Sequence, residues 1–344
     1  MTSKERCMAV LQRKKPDRVP VFPLMMFFAA DRAKISYRRF STDASALADA
    51  QLNLYENYLV DAVTACSDSY RISGDMGAQI QYPQNSSPYL SQSLVTCEAD
   101  FDALKRPDPC KPNSRMRERI DSVEQLTRAI GNEALVLGWI EMPFAEVCEW
   151  VGVQNLMVML YDDPEFVHRM LNAATEIEID YALAQLDAGA HMIGCGDSAA
   201  SLVSVSRFCE FVLPYQQRVT FAIHKAGGLS KLHICGNSSH VLDQLAQNGA
   251  DLYNVDHMVE LSMARDIYSG MGKAFKGNVN PVGDLMSATA EQAQQRALSC
   301  ITLCQDTAFM LSAGCEIPAA TPDEVYFAFA KAPQMVVRKQ QSVE

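Results

Sequence analysis

The sequence of 344 residues lacks the features that mark several broad classes of protein. It has only 17 glycines and 15 prolines, which excludes collagen-like and low-complexity chains. No internal repeat and no linker-like stretch is visible, so we expect one domain over residues 1–344. The apolar run 19–30 is too short to span a bilayer and contains Pro20 and Pro23. We therefore interpret this run as a buried first strand with its loop rather than as a signal peptide.

Positive charge is also scarce, because 30 Lys and Arg residues stand against 41 Asp and Glu residues and give a net charge of −11. An acidic chain without a basic run between aromatic residues is a poor nucleic-acid binder. The 11 cysteines are odd in number and irregular in spacing, which does not fit a secreted disulfide framework. We therefore expect a cytoplasmic protein whose thiols are free or bound to metal.

What the sequence does contain is a globular composition, with 48% hydrophobic and 21% charged residues, in which short apolar runs alternate with amphipathic stretches. This alternation predicts an α/β fold with a parallel sheet, either doubly wound or closed into a barrel. The count of eight strands favours a (β/α)8 TIM-type barrel. The predicted strands are residues 19–24, 61–66, 134–140, 191–195, 230–235, 251–255, 274–278 and 308–312.

Residues 77–112, after the second predicted strand, are the main irregularity in this pattern. They contain five prolines, and the sequences QIQYP (79–83) and SLVTC (93–97) are typical of the two strands of a hairpin. We interpret the segment as an insertion that partly roofs the barrel mouth. Helices are predicted over residues 42–58, 119–130 and 163–187, and a last helix begins near Thr321.

Two potential metal ligands share one predicted strand end. His233 and Cys235 lie two residues apart, so their side chains point to the same side of the strand. Cys315 follows the last predicted strand, after a glycine that lets the backbone turn, and Asp256 follows the sixth. The carboxyl ends of barrel strands form the catalytic mouth, and imidazole with thiolate suits zinc. The sequence therefore predicts a zinc site of His233, Cys235 and Cys315, with Asp256 as a replaceable fourth ligand.

Other polar residues follow predicted strands and are candidates for the same mouth. Glu141 and Asp197 are candidate catalytic groups. Ser198, Asn237 and Asn278 are candidate cofactor-binding or substrate-binding groups. Each also has an ordinary structural interpretation, since Ser, Asp and Asn commonly cap helices or end strands. His257 neighbours Asp256 and is expected to point away from it by strand alternation.

Six motifs occur in a fixed order along the sequence, namely KERCMAVLQRKKPDRVPV, GWIEMPF, GCGDSAASLVS, LHICGN, GNVNPVGDLM and SAGCEIPAATP. Together they resemble the uroporphyrinogen decarboxylase superfamily, and most closely its zinc-dependent corrinoid methyltransferases of the methylcobamide:coenzyme M type. The resemblance implies a TIM-type barrel. It also implies a zinc site on His233, Cys235 and Cys315, and a replaceable carboxylate that falls on Asp256.

The resemblance further implies methyl transfer between a corrinoid and a thiol that zinc activates. No Asp-x-His-x-x-Gly corrinoid motif occurs here, so the corrinoid is expected on a separate carrier protein. The reverse direction, demethylation of a methoxy compound, is the main alternative, and the apolar run 24–28 would suit an aromatic ring. A decarboxylase would need several arginines for its carboxylated substrate. In the matching stretch, residues 23–36, Arg32 is the only arginine. A non-catalytic module that binds the carrier is the remaining alternative.

Overall fold

The structure is a computed structural model and describes residues 1–341. Seven parallel strands form one curled sheet in the order β1-β4-β5-β6-β7-β8-β9. Almost every strand residue is buried, including polar residues of β6 and β8, as expected for strands that are covered on both faces. Their bounds are β1 Ala62–Thr64, β4 Leu135–Glu141, β5 Met192–Gly196, β6 Leu229–His233, β7 Leu252–Asn254, β8 Ala274–Val279 and β9 Phe309–Ala313.

The first predicted strand closes the sheet into a barrel without being a continuous strand. Val21 pairs with Leu311 of β9, and the amide of Asp61, just before β1, donates to the Val21 carbonyl at 2.8 Å. Pro20 and Pro23 interrupt regular pairing because proline has no N–H to donate. With this segment as its eighth member, the (β/α)8 barrel predicted from the sequence is confirmed.

The side chain of Asp61 stabilises this closure of the barrel. Its fully buried carboxylate accepts from Arg6 Nη1 at 2.6 Å and from both terminal nitrogens of Arg18, at 2.7 and 2.9 Å. It also accepts from the amide of Val21 at 2.8 Å. A single carboxylate therefore accepts hydrogen bonds from two arginine side chains and from one backbone amide of the closing segment.

Helices surround the sheet and supply its outer layer. α10 begins after Asp163, whose side chain accepts from the amide of Phe166, and it ends at Asp187 as predicted. The helices are α1 Ser3–Leu11, α2 Phe27–Arg32, α3 Tyr37–Thr42, α4 Ala44–Asn57, α5 Arg71–Asp75, α6 Glu98–Ala103, α7 Arg115–Ile130, α8 Pro143–Val151, α9 Val153–Asp162, α10 Pro164–Asp187, α11 Val205–Phe211, α12 Leu213–Lys225, α13 Leu242–Leu245, α14 Leu261–Gly270, α15 Ala290–Leu303 and α16 Asp323–Gln341. Within residues 1–341, no helix is both long and apolar enough to cross a membrane.

The two ends of the barrel differ in chemistry. At the amino ends of the strands, Cys7 and Val10 of α1 pack against an apolar layer that includes Leu135 and Met310. This layer fills the barrel with apolar side chains at the amino ends of its strands. The carboxyl ends of the strands carry the polar and thiol side chains, so any reaction site lies at that end.

The segment 77–112 contains a hairpin, but one of its strands differs from the prediction. β2 (Ile80–Gln81) pairs antiparallel with β3 (Tyr89–Leu90), whereas residues 93–97 form no strand. The amides of Leu94 and Val95 instead donate to the carbonyl of Trp150 near the end of α8. α7 also begins four residues earlier than predicted, because Ser114 caps it by accepting from the amide of Arg117.

Candidate metal centre

Three predicted ligands meet at the carboxyl ends of β6 and β9. The Nε2 atom of His233 lies 3.1 Å from the Sγ atom of Cys235, and the Sγ atoms of Cys235 and Cys315 lie 3.7 Å apart. The three candidate ligand atoms all lie within 4.8 Å of one another. Cys315 therefore meets His233 and Cys235, which are distant from it in sequence, because all strands of a closed barrel end at one mouth, although β7 and β8 lie between β6 and β9 in the sheet.

The surroundings of His233 prepare its ring for a metal. Its Nδ1 atom lies 3.3 Å from the Asn254 carbonyl oxygen, so an N–H at Nδ1 leaves the Nε2 lone pair facing the two thiols. The hydrogen bond from Cys235 and the nearby His233 ring lower the pKa of the Cys315 thiol to about 3. One nitrogen and two sulfurs with an open fourth position form the donor set of a catalytic zinc site. The residues present thus fit zinc.

Gly314 permits the approach of Cys315 to this cluster. A Cβ atom at Gly314 would lie 2.2 Å from the backbone nitrogen of His257 and 2.9 Å from its Cα atom. The glycine is therefore needed for a close approach between two backbone segments, and not for the turn that we expected from the sequence.

Asp256 is not brought into this cluster. Its Oδ1 atom accepts from the amide of Met258 at 2.9 Å and lies 3.1 Å from Nδ1 of His257. This is the local turn that aspartate commonly makes with the amide two residues on. The expectation that His257 points away from Asp256 is wrong, because β7 ends at Asn254 and strand alternation no longer applies. A fourth ligand at Asp256 stays a prediction.

A cavity of about 320 Å³ opens beside the three ligands, and we call it the mouth cavity. Its wall includes His233, Cys235 and Cys315. The rings of Tyr37, Tyr70 and Trp139 also line it, together with Leu24 and Met26 of the predicted apolar run. The rest of that run turns into the core, where Met25 and Phe28 are buried.

Glu141, predicted as catalytic, lines the mouth cavity at the end of β4. Its Oε1 atom accepts from the indole nitrogen of Trp139 at 2.8 Å. Burial raises the pKa of Glu141 to about 8, against a smaller lowering by the Trp139 bond. There is room for this side chain because a Cβ atom at Gly196 on β5 would lie 2.4 Å from Glu141 Oε2.

The other predicted residues divide into two groups. Asp197 and Ser198 line the mouth cavity, and burial raises the pKa of Asp197 to about 7. Asn237 is exposed and caps a turn by accepting from Ser239, and it does not line the cavity. Asn278 donates to the carbonyls of Asp256 and Val259 and so holds the loop after β7.

Several cavity residues escaped the sequence analysis. They are Tyr37, Asp68, Tyr70, Trp139, Glu149 and Glu316. Trp139 had a usable signal, because strand alternation places it on the same face of β4 as Glu141. Glu149 comes from helix α8, where one more glutamate carries no signal of its own.

Arg32 does not line the mouth cavity. Its guanidinium pairs with Asp323 at 2.6 Å, donates to the carbonyls of Ala319 and Thr321, and lies over the ring of Phe28. These contacts tie α2 to the start of α16. The one arginine in the stretch expected to bind a carboxylated substrate is therefore fully used in holding the fold.

Comparison with known proteins was made against families, sequences and solved structures. The family model "Uroporphyrinogen decarboxylase (URO-D)" matches residues 2–335. A uroporphyrinogen decarboxylase from Synechococcus sp. (strain CC9605) is 27% identical over 311 residues, covering 88% of this chain and 86% of that protein. A methylated-thiol–coenzyme M methyltransferase from Methanosarcina mazei is 24% identical over 337 residues, covering 96% and 89%.

Two solved structures share the fold. A methyltransferase from Methanosarcina mazei superposes with a TM-score of 0.88 at 22% identity, covering 98% of this chain and 99% of that one. A B12-independent methionine synthase from Shewanella sp. W3-18-1 gives a TM-score of 0.57 at 13% identity, covering 87% and 90%. At such identities, the likeness supports the barrel architecture alone.

Proposed function

Because this chain belongs to the uroporphyrinogen decarboxylase family, we propose that it is a zinc-dependent methyltransferase that works with a corrinoid protein and methylates a small thiol. The observation that carries the proposal is the convergence of His233, Cys235 and Cys315 beside an open cavity. The sequence similarity to the methylated-thiol–coenzyme M methyltransferase of Methanosarcina mazei supports the same class of reaction.

In this proposal, His233, Cys235 and Cys315 hold the metal. A bound zinc would lower the pKa of a substrate thiol, so that a thiolate persists near neutral pH. The corrinoid of the carrier would supply the methyl group, and the thiol sulfur would accept it, so that a sulfur–carbon bond replaces the cobalt–carbon bond and the electron pair of the broken bond stays with the corrinoid. Glu141 is our candidate for exchanging the thiol proton at Oε2, since Oε1 is held by Trp139 and its pKa of about 8 lies near neutrality.

The rim of the mouth offers a surface for a carrier protein. Leu202 after β5, Met258 after β7 and Val282 after β8 are 62%, 57% and 51% exposed. Apolar side chains at this exposure around a cavity are typical of a protein contact surface. We therefore propose that the corrinoid arrives on a partner that docks on these loops.

The methoxy-demethylation direction remains a second candidate function. Tyr37, Tyr70, Trp139, Leu24 and Met26 give the mouth cavity an aromatic and apolar wall that could hold a methoxylated ring. Both directions use the same three ligands. An assay of methyl exchange with a corrinoid distinguishes the two directions, because thiols exchange methyl groups in one and methoxyarenes in the other.

Decarboxylation of a porphyrinogen is disfavoured by the charge of the same wall. Among the described residues, no arginine or lysine lines the mouth cavity, whereas five carboxyl groups do. A substrate with many carboxylates would lose its hydration without gaining a charged partner. A purely structural zinc is also disfavoured, since structural sites are closed by four protein ligands.

The proposal is tested by following methyl transfer from methylcobalamin to thiols with purified, zinc-loaded protein. We expect turnover in the wild type and a loss of at least about 100-fold in Cys315→Ala, since a metal ligand is removed. Cys209→Ala, an exposed cysteine outside the cavity, is the matched control and should retain activity. Zinc-loaded protein that transfers no methyl group to any thiol would contradict the proposal.

A further inference from the structure

The residues that line the mouth cavity include many acidic side chains. Its wall contains the carboxyl groups of Asp68, Glu141, Glu149, Asp197 and Glu316. Among residues 1–341, it contains no ammonium or guanidinium group. A ligand beside the thiol cluster would therefore meet hydrogen-bond acceptors and carboxyl groups, most of which ionise above neutral pH because burial raises their pKa to about 7 or 8, but no positive charge in the lining.

The arginines nearest to this wall stand behind it and are already engaged. Asp68 pairs with Arg115 at 3.1 Å and with Arg71 at 3.4 Å. Arg119 donates to the Asp68 carbonyl at 2.6 Å. These contacts hold the pKa of Asp68 near 2 despite its burial, and they leave no guanidinium free to bind a ligand anion.

Two nearby lysines, Lys231 and Lys276, are fully buried and do not line the cavity. Lys231 is fully buried on β6, and its Nζ atom lies 4.5 Å from the centroid of the Trp139 ring. Lys231 does not line the cavity, whereas Trp139 does. The indole ring therefore separates this ammonium from any ligand.

Two of the cavity carboxylates keep oxygens available for a donor. Glu149 makes no ion pair among the described residues, and it accepts hydrogen bonds from the Ser69 hydroxyl, at a long 3.3 Å to Oε1, and from the Tyr70 hydroxyl. Asp197 accepts from Gln216 at Oδ2, while its buried Oδ1 has no hydrogen-bond partner within the described chain. Such oxygens attract a ligand with N–H donors and positive charge.

The aromatic rings of the wall act in the same direction. Tyr70 and Trp139 line the cavity, and an aromatic face attracts an ammonium group through its quadrupole. A cavity that combines carboxyl groups with aromatic rings and has no cation in its lining selects by charge as well as by size.

We propose, on the basis of the proposed methyl transfer, that the acceptor is a small thiol with a positively charged amino group and no anionic group. This is the opposite charge from the coenzyme M that names the Methanosarcina relative, whose thiol carries a sulfonate. The sulfur would bind the metal held by His233, Cys235 and Cys315, and the ammonium would lie among Glu149, Asp197 and the aromatic rings.

Three thiols of nearly equal size test this inference, namely cysteamine (cationic), 2-mercaptoethanol (neutral) and 2-mercaptoethanesulfonate (anionic). Zinc-loaded wild-type protein is assayed at pH 8 with methylcobalamin, because burial raises the pKa of Glu149, Asp197 and Glu316 to about 7 and these groups must be ionised for a test of charge. Each kcat/KM is divided by the rate of that thiol without protein, which corrects for thiol reactivity. We expect cysteamine to exceed the sulfonate by about tenfold or more, with 2-mercaptoethanol between them.

A substitution tests whether the wall of the mouth cavity causes the preference for the cationic thiol. In Glu149→Gln, the ratio of cysteamine to sulfonate should fall about three- to tenfold through KM, because one negative charge is removed while the side-chain size is kept. Glu56→Gln, an exposed residue of α4, is the matched control and should leave the ratio unchanged.

Binding of the same thiols to zinc-loaded protein, measured by calorimetry, separates the two proposals. Tightest binding of cysteamine without any turnover would contradict the methyltransferase function but support the charge selectivity. Turnover with an equal or greater preference for the sulfonate would overturn the inference and leave the function standing. Failure of all three thiols to bind would overturn both.

Discussion

Glu141 supplies the sharpest test of the cavity, because a functional carboxyl group held in this environment should reduce stability. Its pKa is raised from an ordinary 4.5 to about 8, mainly by burial. The native state therefore binds this proton more tightly than the unfolded state does. Stability from this group is fully present below pH 4.5 and is lost as the pH rises from 4.5 to 8.

The magnitude follows from the size of the shift. At pH 7 the carboxyl group is about 2.5 pH units above its unfolded pKa, which corresponds to about 3 kcal/mol at 1.36 kcal/mol per unit. Because Glu141 lines an open cavity, solvent screening reduces this figure, and we expect Glu141→Gln to stabilise the metal-free protein by about 2 kcal/mol at pH 7. Glutamine keeps an oxygen for the Trp139 indole N–H, so the packing contact is retained.

The assay is urea unfolding of metal-free wild type and Glu141→Gln at pH 4.5, 7 and 8, with Glu56→Gln as an exposed control. The two proteins should have equal stability at pH 4.5 and differ most at pH 8. The same substitution should lower methyl transfer, since the proposed proton exchange is lost. A variant no more stable than wild type at pH 7 would refute the electrostatic account of this cavity.

The other predictions concern the backbone at the metal centre and the closure of the barrel. Gly314→Ala should lower zinc affinity at least about tenfold, because the new Cβ atom would lie 2.2 Å from the His257 nitrogen and displace Cys315. Gly270→Ala, with open space around it, is the control, and equal zinc titrations for both variants would contradict this explanation. Asp61→Asn should destabilise the fold by about 3–5 kcal/mol in denaturant titrations, since the buried Arg6 and the partly buried Arg18 lose their common carboxylate. A loss below about 1 kcal/mol would show that the closure does not depend on this group.

The periodicity of the predicted strands was enough to predict the barrel and the three candidate metal ligands. His233 and Cys235 were predictable as neighbours because alternation on β6 gives them one side of the strand. Cys315 was predictable because strands of a barrel end at one mouth. The first strand was placed correctly, although its prolines reduce it to isolated bridges.

The residues beyond the strand ends were harder to predict, because local turn chemistry decides their direction. Asp256 lies two residues past the end of β7, and its carboxylate accepts a hydrogen bond from the Met258 amide. Asn278 is used by backbone carbonyls rather than by a ligand. Glu149 reaches the cavity from a helix and Asp68 from a loop, so no strand-based pattern could have placed them there.

The measurement that tests the central claim most directly is the metal content of the protein, purified without chelator, together with X-ray absorption at the zinc edge. We predict about one zinc per chain bound through one nitrogen and two sulfurs, with one more sulfur on addition of cysteamine. Cys235→Ala should lose the metal, whereas Cys209→Ala should retain it. Wild-type protein without zinc, or zinc that Cys235→Ala retains, would contradict the account.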